Sequence, residues 1–199
     1  MGGIVREVVV MLVLTPFVFG QTGDAIFAQS YDFSSVDGGT SYASLADDFT
    51  PDFTGCFQYV IIYQYFNETP PTEVFLEITQ DAGGINPNNA TSMLSGSFAV
   101  SYLDTGDLFA GKPIYEMTID LGQTVEVDAG NLYWLETGVV FNSFVLYQDP
   151  VVFGSPMWYF EGGQYHCFSE QSHSWDSFFE LLTPVALQRN SWGSIKASF

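Results

Sequence analysis

Apolar side chains in this chain recur at every second position, and no stretch of ten or more residues carries a convincing period of 3.6. Ile114 to Leu121 shows it best. Tyr115, Met117, Ile119 and Leu121 fall in one phase, and Glu116, Thr118 and Asp120 in the other. Successive side chains of a strand point to opposite faces, so this phase reads as a half-buried β-strand. Glu73 to Thr79 repeats it with Val74, Leu76 and Ile78, and Ser97 to Tyr102 with Phe98, Val100 and Tyr102. Phe57 to Phe66 (FQYVIIYQYF) is apolar in both phases, as a central strand covered on both faces would be. Further strands are expected at 132–140, 144–147, 157–160 and 177–182.

Turn-forming residues separate these runs: Val36-Asp-Gly-Gly39, Asn67-Glu-Thr-Pro-Pro71, Asp81-Ala-Gly-Gly84, Asn86-Pro-Asn-Asn89, Asp104-Thr-Gly106 and Glu161-Gly-Gly163. About eight short strands at this spacing predict an all-β, antiparallel β-sandwich, jelly-roll-like, over residues 40–182. Residues 21–39 form an N-terminal segment before it, and 183–199 a tail behind Thr183-Pro184.

Residues 1–20 read as a signal peptide. Arg6 precedes an apolar run from Val8 to Phe19, too short for the about 20 residues a membrane helix needs. Cleavage fits after Gly20, with Ala28 as the alternative; a buried Val-rich first strand is the other reading of the run. The mature chain is therefore expected to be secreted, extracellular or on the cell surface, with no membrane span. In an oxidising compartment two cysteines, Cys56 and Cys167, are most simply a disulfide, with two buried thiols as the alternative. Asn67-Glu-Thr69 and Asn89-Ala-Thr91 match the N-glycosylation pattern and would be used if the host glycosylates.

Charge narrows the partners. Asp and Glu number 23 and Lys and Arg only 4, giving −19 at neutral pH. The imbalance comes from missing cations, and a chain without clustered Lys and Arg cannot hold a phosphate backbone, which excludes nucleic acid. Divalent cations, neutral glycans and protein surfaces, including a second copy of the chain, are compatible with it.

The order of landmarks resembles a loose family of uncharacterised bacterial secreted β-sandwich surface proteins. The landmarks are Leu45-Ala-Asp-Asp-Phe49, the strand at Tyr59 to Tyr63, Val74 to Gly83 with Asn86-Pro87, Leu132-Tyr-Trp-Leu135 and Ser177-Phe-Phe-Glu-Leu181. The family's D-x-G-G-x-P-G element reads Asp81-Ala-Gly-Gly-Ile-Asn-Pro-Asn88 here, with its last glycine replaced. The tail from Asn190 to Lys196 also looks like the C-terminal ends of secreted bacterial proteins. The resemblance implies the sandwich and carries no activity with it.

Residues that could do chemistry are few. His166, Cys167 and His173, with Glu170 and Asp176, have zinc or Cys–His ligand types. Adjacent strand residues face opposite ways, however, so a turn with polar side chains is the expectation. Asp81 with Asn86 and Asp104 with Asp107 are candidate calcium ligands, as are the pairs Asp47-Asp48 and Asp120 with Asp128. The competing role for each is turn formation through side chain–backbone hydrogen bonds. Glu73, Glu77, Glu116 and Glu136 lie in the outward phase of their strands, and any two could neighbour one another as a glycosidase pair would. No nucleophile elbow, zinc-protease or phosphate-loop motif is present. Trp158, Tyr159 and Trp175 are candidate ligand-binding aromatics, with core packing as the alternative. The expected function is a non-enzymatic surface or matrix protein binding a glycan or protein. A structural subunit of an extracellular filament or layer, and a secreted glycoside hydrolase-type enzyme, are the alternatives.

Overall fold

The computed structural model describes residues 24–29, 31–40, 44–83, 86–138, 143–148, 154–168 and 175–184. Residues 1–20 (expected as a signal peptide), His173, Glu170 and residues 185–199 of the tail lie outside them. Among the described residues thirteen strands run in order: β1 (Ala25–Gln29), β2 (Gly38–Thr40), β3 (Ser44–Phe49), β4 (Gly55–Phe66), β5 (Glu73–Gln80), β6 (Thr91–Phe109), β7 (Lys112–Val127), β8 (Tyr133–Gly138), β9 (Ser143–Gln148), β10 (Trp158–Glu161), β11 (Gln164–Cys167), β12 (Asp176–Ser177) and β13 (Phe179–Leu182). Phe33–Ser35 and Pro87–Asn89 are 3₁₀ turns, and the described residues contain no α-helix. All pairings are antiparallel, and the all-β sandwich expected from the alternation is the fold.

The number of strands is larger than the expected eight. Short edge pieces such as β1, β2 and β12 carry too few residues to show a period. Conversely, Asp104-Thr-Gly106, expected as a turn, lies inside β6. There the register with β7 shifts between Asp104 and Leu108, Gly106 has φ 85, and Asp104 Oδ1 accepts its N–H at 2.8 Å. This is a β-bulge, which spends the same Asp and Gly chemistry without reversing the chain. The reversal comes at Ala110-Gly111, both with positive φ, the two-residue turn that matches strand twist.

The front sheet is ordered β6-β5-β8-β3-β10-β11 and the back sheet β1-β13-β4-β7-β6, with β9 on β4 and β2 and β12 on β9. β6 belongs to both. Its first half pairs with β5, and from Val100 onward it pairs with β7. Phe49, Leu76, Ile78, Tyr133 and Leu135 of the front sheet meet Phe57, Val60, Ile62, Ile119 and Phe179 of the back sheet. Each such side chain, fully withdrawn from water, contributes about 1.5–3 kcal/mol. β4 is covered on both faces, as its sequence implied: Ile61, Tyr63 and Tyr65 pack outward in a second cluster with Ile114, Phe178 and Leu182. Tyr31 and Val36 of the N-terminal segment lie over that cluster.

The expected Cys56–Cys167 disulfide is absent; both residues are thiols. Cys56 neighbours the inward Phe57 on β4, so it faces the outside of the back sheet, opposite Glu126. Cys167 precedes the inward Phe168 and stands opposite Trp158 on the outside of the front sheet. Packed sheets lie about 10 Å apart, and side chains leaving them in opposite directions cannot close a bridge whose Cα atoms must come within about 7 Å.

Candidate functional site: the outer face of the front sheet

Register places three rows of side chains across the outer face of the front sheet. The middle row runs Ser95, Glu77, Glu136, Ala46, Trp158 and Cys167 on successive strands. One side row carries Phe75, Gly138, Ser44 and Tyr165; the other carries Thr79, Trp134 and Asp48. β-Strands put alternate residues here because the opposite phase (Leu76, Ile78, Leu135, Leu45) is claimed by the core.

Glu77 and Glu136 are directly opposite in the β5–β8 ladder, where facing Cβ atoms stand about 5 Å apart. Glu136 is buried. Its Oε2 accepts from the Tyr165 hydroxyl at 2.6 Å and its Oε1 from Thr79 Oγ1 at 3.4 Å. Burial pushes its carboxyl above the ordinary range and the charge of Glu77 adds to the rise, while the Tyr165 bond opposes them. Tyr165 Oη also shares a hydrogen bond with Ser44 Oγ at 3.0 Å. The backbone of Tyr165 is held in turn by Asn88. Its N–H donates to Asn88 Oδ1 at 2.7 Å, and its carbonyl accepts from Asn88 Nδ2 at 2.8 Å. Phe75, 44% exposed, and Phe160, 37% exposed, lie in the same row as Ser44 and Tyr165, and the Phe160 ring meets the Tyr165 ring at 5.1 Å. Phe75 and Phe160 lie three strand spacings apart, about 14 Å.

The three candidate aromatics divide. Trp158 leaves the core and meets Trp134 edge-on at 6.0 Å; among the described residues neither indole N–H has a hydrogen-bond acceptor. Tyr159 is the inward neighbour, opposite Leu45, and packs on Phe168. Trp175 stacks on Tyr147 at 4.1 Å beside the core. Tyr159 and Trp175 thus supply packing and no exposed platform. Phe75 and Phe160 lie outside the expected set of ligand-binding aromatics. The signal was there: each is a large aromatic in the phase opposite to its strand's core residues.

The candidate calcium oxygens already accept hydrogen bonds from the protein. Asp81 Oδ2 accepts from Gly83 N at 2.7 Å, Asn86 Oδ1 from Asn88 N at 2.8 Å, and Asp107 Oδ2 from the Tyr31 hydroxyl at 3.0 Å. Asp81 and Asn86 lie by the start of β6, whereas Asp104 and Asp107 lie on the order of 40 Å of strand further along it. Among the described residues no three His, Cys, Asp or Glu side chains are grouped to hold a metal ion. His166 and Cys167 take opposite faces of β11, and the His166 ring lies against Tyr159. Asn67 and Asn89 are both exposed, Asn67 on the β4–β5 connection and Asn89 in the second 3₁₀ turn.

A second group of carboxylates lies between the sheets. Asp47 faces inward, and its carboxyl is pushed well up by burial and by the charges of Asp176 and Asp48. Asp176 Oδ1 accepts from Gln29 Nε2 at 2.7 Å. Asp48 faces the other way and accepts the N–H and hydroxyl of Ser155, each at 2.8 Å; burial raises it to about 6. Lys112 is the only Lys or Arg among the described residues, and it sits on the β6–β7 hairpin.

Comparison of the chain with protein-family models, curated proteins and solved structures gave no match.

Proposed function

We propose that this chain is a secreted, non-enzymatic β-sandwich that binds a neutral glycan across the outer face of its front sheet. The observation that carries the reading is the pair of exposed rings, Phe75 and Phe160, in one row with Ser44 and Tyr165 and next to the row that holds Glu77. Sugars offer apolar C–H faces for rings to stack on and hydroxyls that donate to carboxylates, so aromatics interleaved with acceptors fit them. A surface this acidic repels anionic polymers and tolerates neutral ones. The expected leader supports the secreted setting. A glycan array probed with the mature chain tests the reading. Binding that disappears in Phe75→Ala and Phe160→Ala, with melting temperature kept, is the expected result. Binding that both variants retain would sink it.

The opposed Glu77 and Glu136 favour one second reading, a hydrolase of glycosidic bonds. Glycosidases use two carboxyls within about 10 Å of each other, and directly opposed residues on neighbouring strands meet that condition. Against it, both oxygens of Glu136 already accept hydroxyl bonds, so a substrate would have to displace Tyr165. Hydrolysis of an array-positive glycan that is lost in Glu77→Gln would establish the enzyme.

A further inference from the structure

The hairpin of β6 and β7 forks at Val100 and Ile119. Beyond that pair β7 continues along β4 in the back sheet, while β6 turns into the front sheet and pairs only with β5. Among the described residues, the side of β6 that faces away from β5 over Thr91–Ala99 therefore has no strand on it. Phase identifies the free groups. Val100 N donates to Thr72 O, so even-numbered residues bond toward β5 and Ser95, Ser97 and Ala99 direct their N–H and C=O outward.

Other edges of the sandwich are protected, in the ways that stop strands adding to one another. The edge of β11 is only four residues long and is capped by Asn88. β1 is five residues long and bulged between Ala25 and Phe27. β7 beyond the fork carries Asp120, Glu126 and the positive-φ Gly122. The β6 edge has one register shift against β5, at Met93 between Ser92 and Leu94, and none of these devices from Leu94 onward. From Thr91 to Leu103 it contains no ionisable group except the phenol of Tyr102 and no proline, in a chain of charge −19.

We propose that Met93–Ala99 of β6 pairs antiparallel with the same segment of a second copy, about a two-fold axis through Gly96, joining two front sheets into one. The segment is self-complementary about that residue. Ser95 comes opposite Ser97, and Leu94 opposite Phe98, an aliphatic–aromatic cross-strand pair made twice. Leu94 and Phe98 are only partly buried against the core in the single chain, and the pairing covers their remaining surface. A second copy also satisfies the charge condition: no carboxylate enters the seam, and Asp104 lies outside it. Where β7 joins at Val100 the seam must stop, so it is short and the association is of the weak, concentration-dependent kind.

Sedimentation equilibrium over a concentration series, with hydrogen exchange on the same samples, tests this. The average mass should rise from one chain toward two with concentration. It should rise further with added salt, which screens repulsion between acidic bodies. Amides of Ser95, Ser97 and Ala99 should gain protection as it does, while those of Leu94, Gly96 and Phe98 are protected throughout. Ser97→Pro removes one outward N–H and no bond to β5, and should stay at the mass of one chain. If that variant unfolds by circular dichroism, the Ser95→Lys/Ser97→Lys pair, which sets like charges across the seam, takes its place with the same expectation. A mass that stays at one chain at every concentration and salt would overturn the proposal, as would association that the folded variant retains. Glycan binding is read separately, so failure of either leaves the other standing.

Discussion

Asp47 Oδ2 accepts two hydrogen bonds from one residue: the backbone N–H of Ser177 at 2.7 Å and its hydroxyl at 2.6 Å. The pair joins β3 of the front sheet to β12 of the back sheet through the interior. It puts a carboxylate where burial and the charge of Asp176 oppose ionisation. Two donors offset part of that cost, since charge-assisted bonds are about twice as strong as neutral ones.

Stability should therefore fall as pH rises. Asp48 is raised from 3.8 to about 6 and Asp47 is raised well above its ordinary value. The folded chain thus holds protons that the unfolded chain has released. Their contribution is complete below the unfolded value of 3.8 and is lost as pH rises through about 6 and above. For Asp48 alone the difference is on the order of 3 kcal/mol at about 1.4 kcal/mol per pK unit. Thermal melts should give a higher midpoint at pH 5 than at pH 8. In Asp47→Asn, whose amide oxygen still accepts from Ser177, the slope should flatten. An upward slope toward pH 8 would show that these carboxyls are not held up in the fold.

Gly154 should not accept a side chain. Its φ is +60, and a Cβ there would run into the carboxylate of Asp48. Gly154→Ala is expected to cost about 1–3 kcal/mol from backbone strain and to loosen the Ser155 bonds to Asp48. Denaturant unfolding reads the cost, and a change below about 0.5 kcal/mol would contradict it.

Tyr165→Phe removes the hydroxyl that bridges Glu136 and Ser44. A hydrogen bond to a charged group is worth about 1.5–3 kcal/mol, and Glu136 would keep only its long bond from Thr79. The variant should unfold at lower denaturant. With the Tyr165 bond gone, the Glu136 carboxyl should titrate at still higher pH, which carbon-detected NMR reads. An unchanged titration would mean that the Tyr165 bond does not hold the charge on Glu136.

Strand phase made the core legible. Val74, Leu76 and Ile78, and Met117, Ile119 and Leu121, all point where alternation put them. The two-sided burial of β4 was equally plain from its unbroken apolar run. Partners across strands were not legible. That Glu77 meets Glu136, or that Tyr165 reaches Ser44 from 121 positions away, depends on strand order. Strand order is set by long-range packing, and local sequence does not record it. Bulge and turn shared one signature at Asp104-Thr-Gly106, since both need an Asp acceptor and a positive-φ glycine. The cysteine pair misled for a related reason: an even count says nothing about which face each thiol leaves.

NMR titration of the chain with an array-positive oligosaccharide is the most direct test of glycan binding by the outer face of the front sheet. Shift changes should gather at Phe75, Glu77, Phe160, Tyr165 and Ser44, with Ile61, Tyr63 and Ile114 on the back sheet unmoved. Shifts centred on the back sheet, or no shifts at saturating ligand, would contradict it.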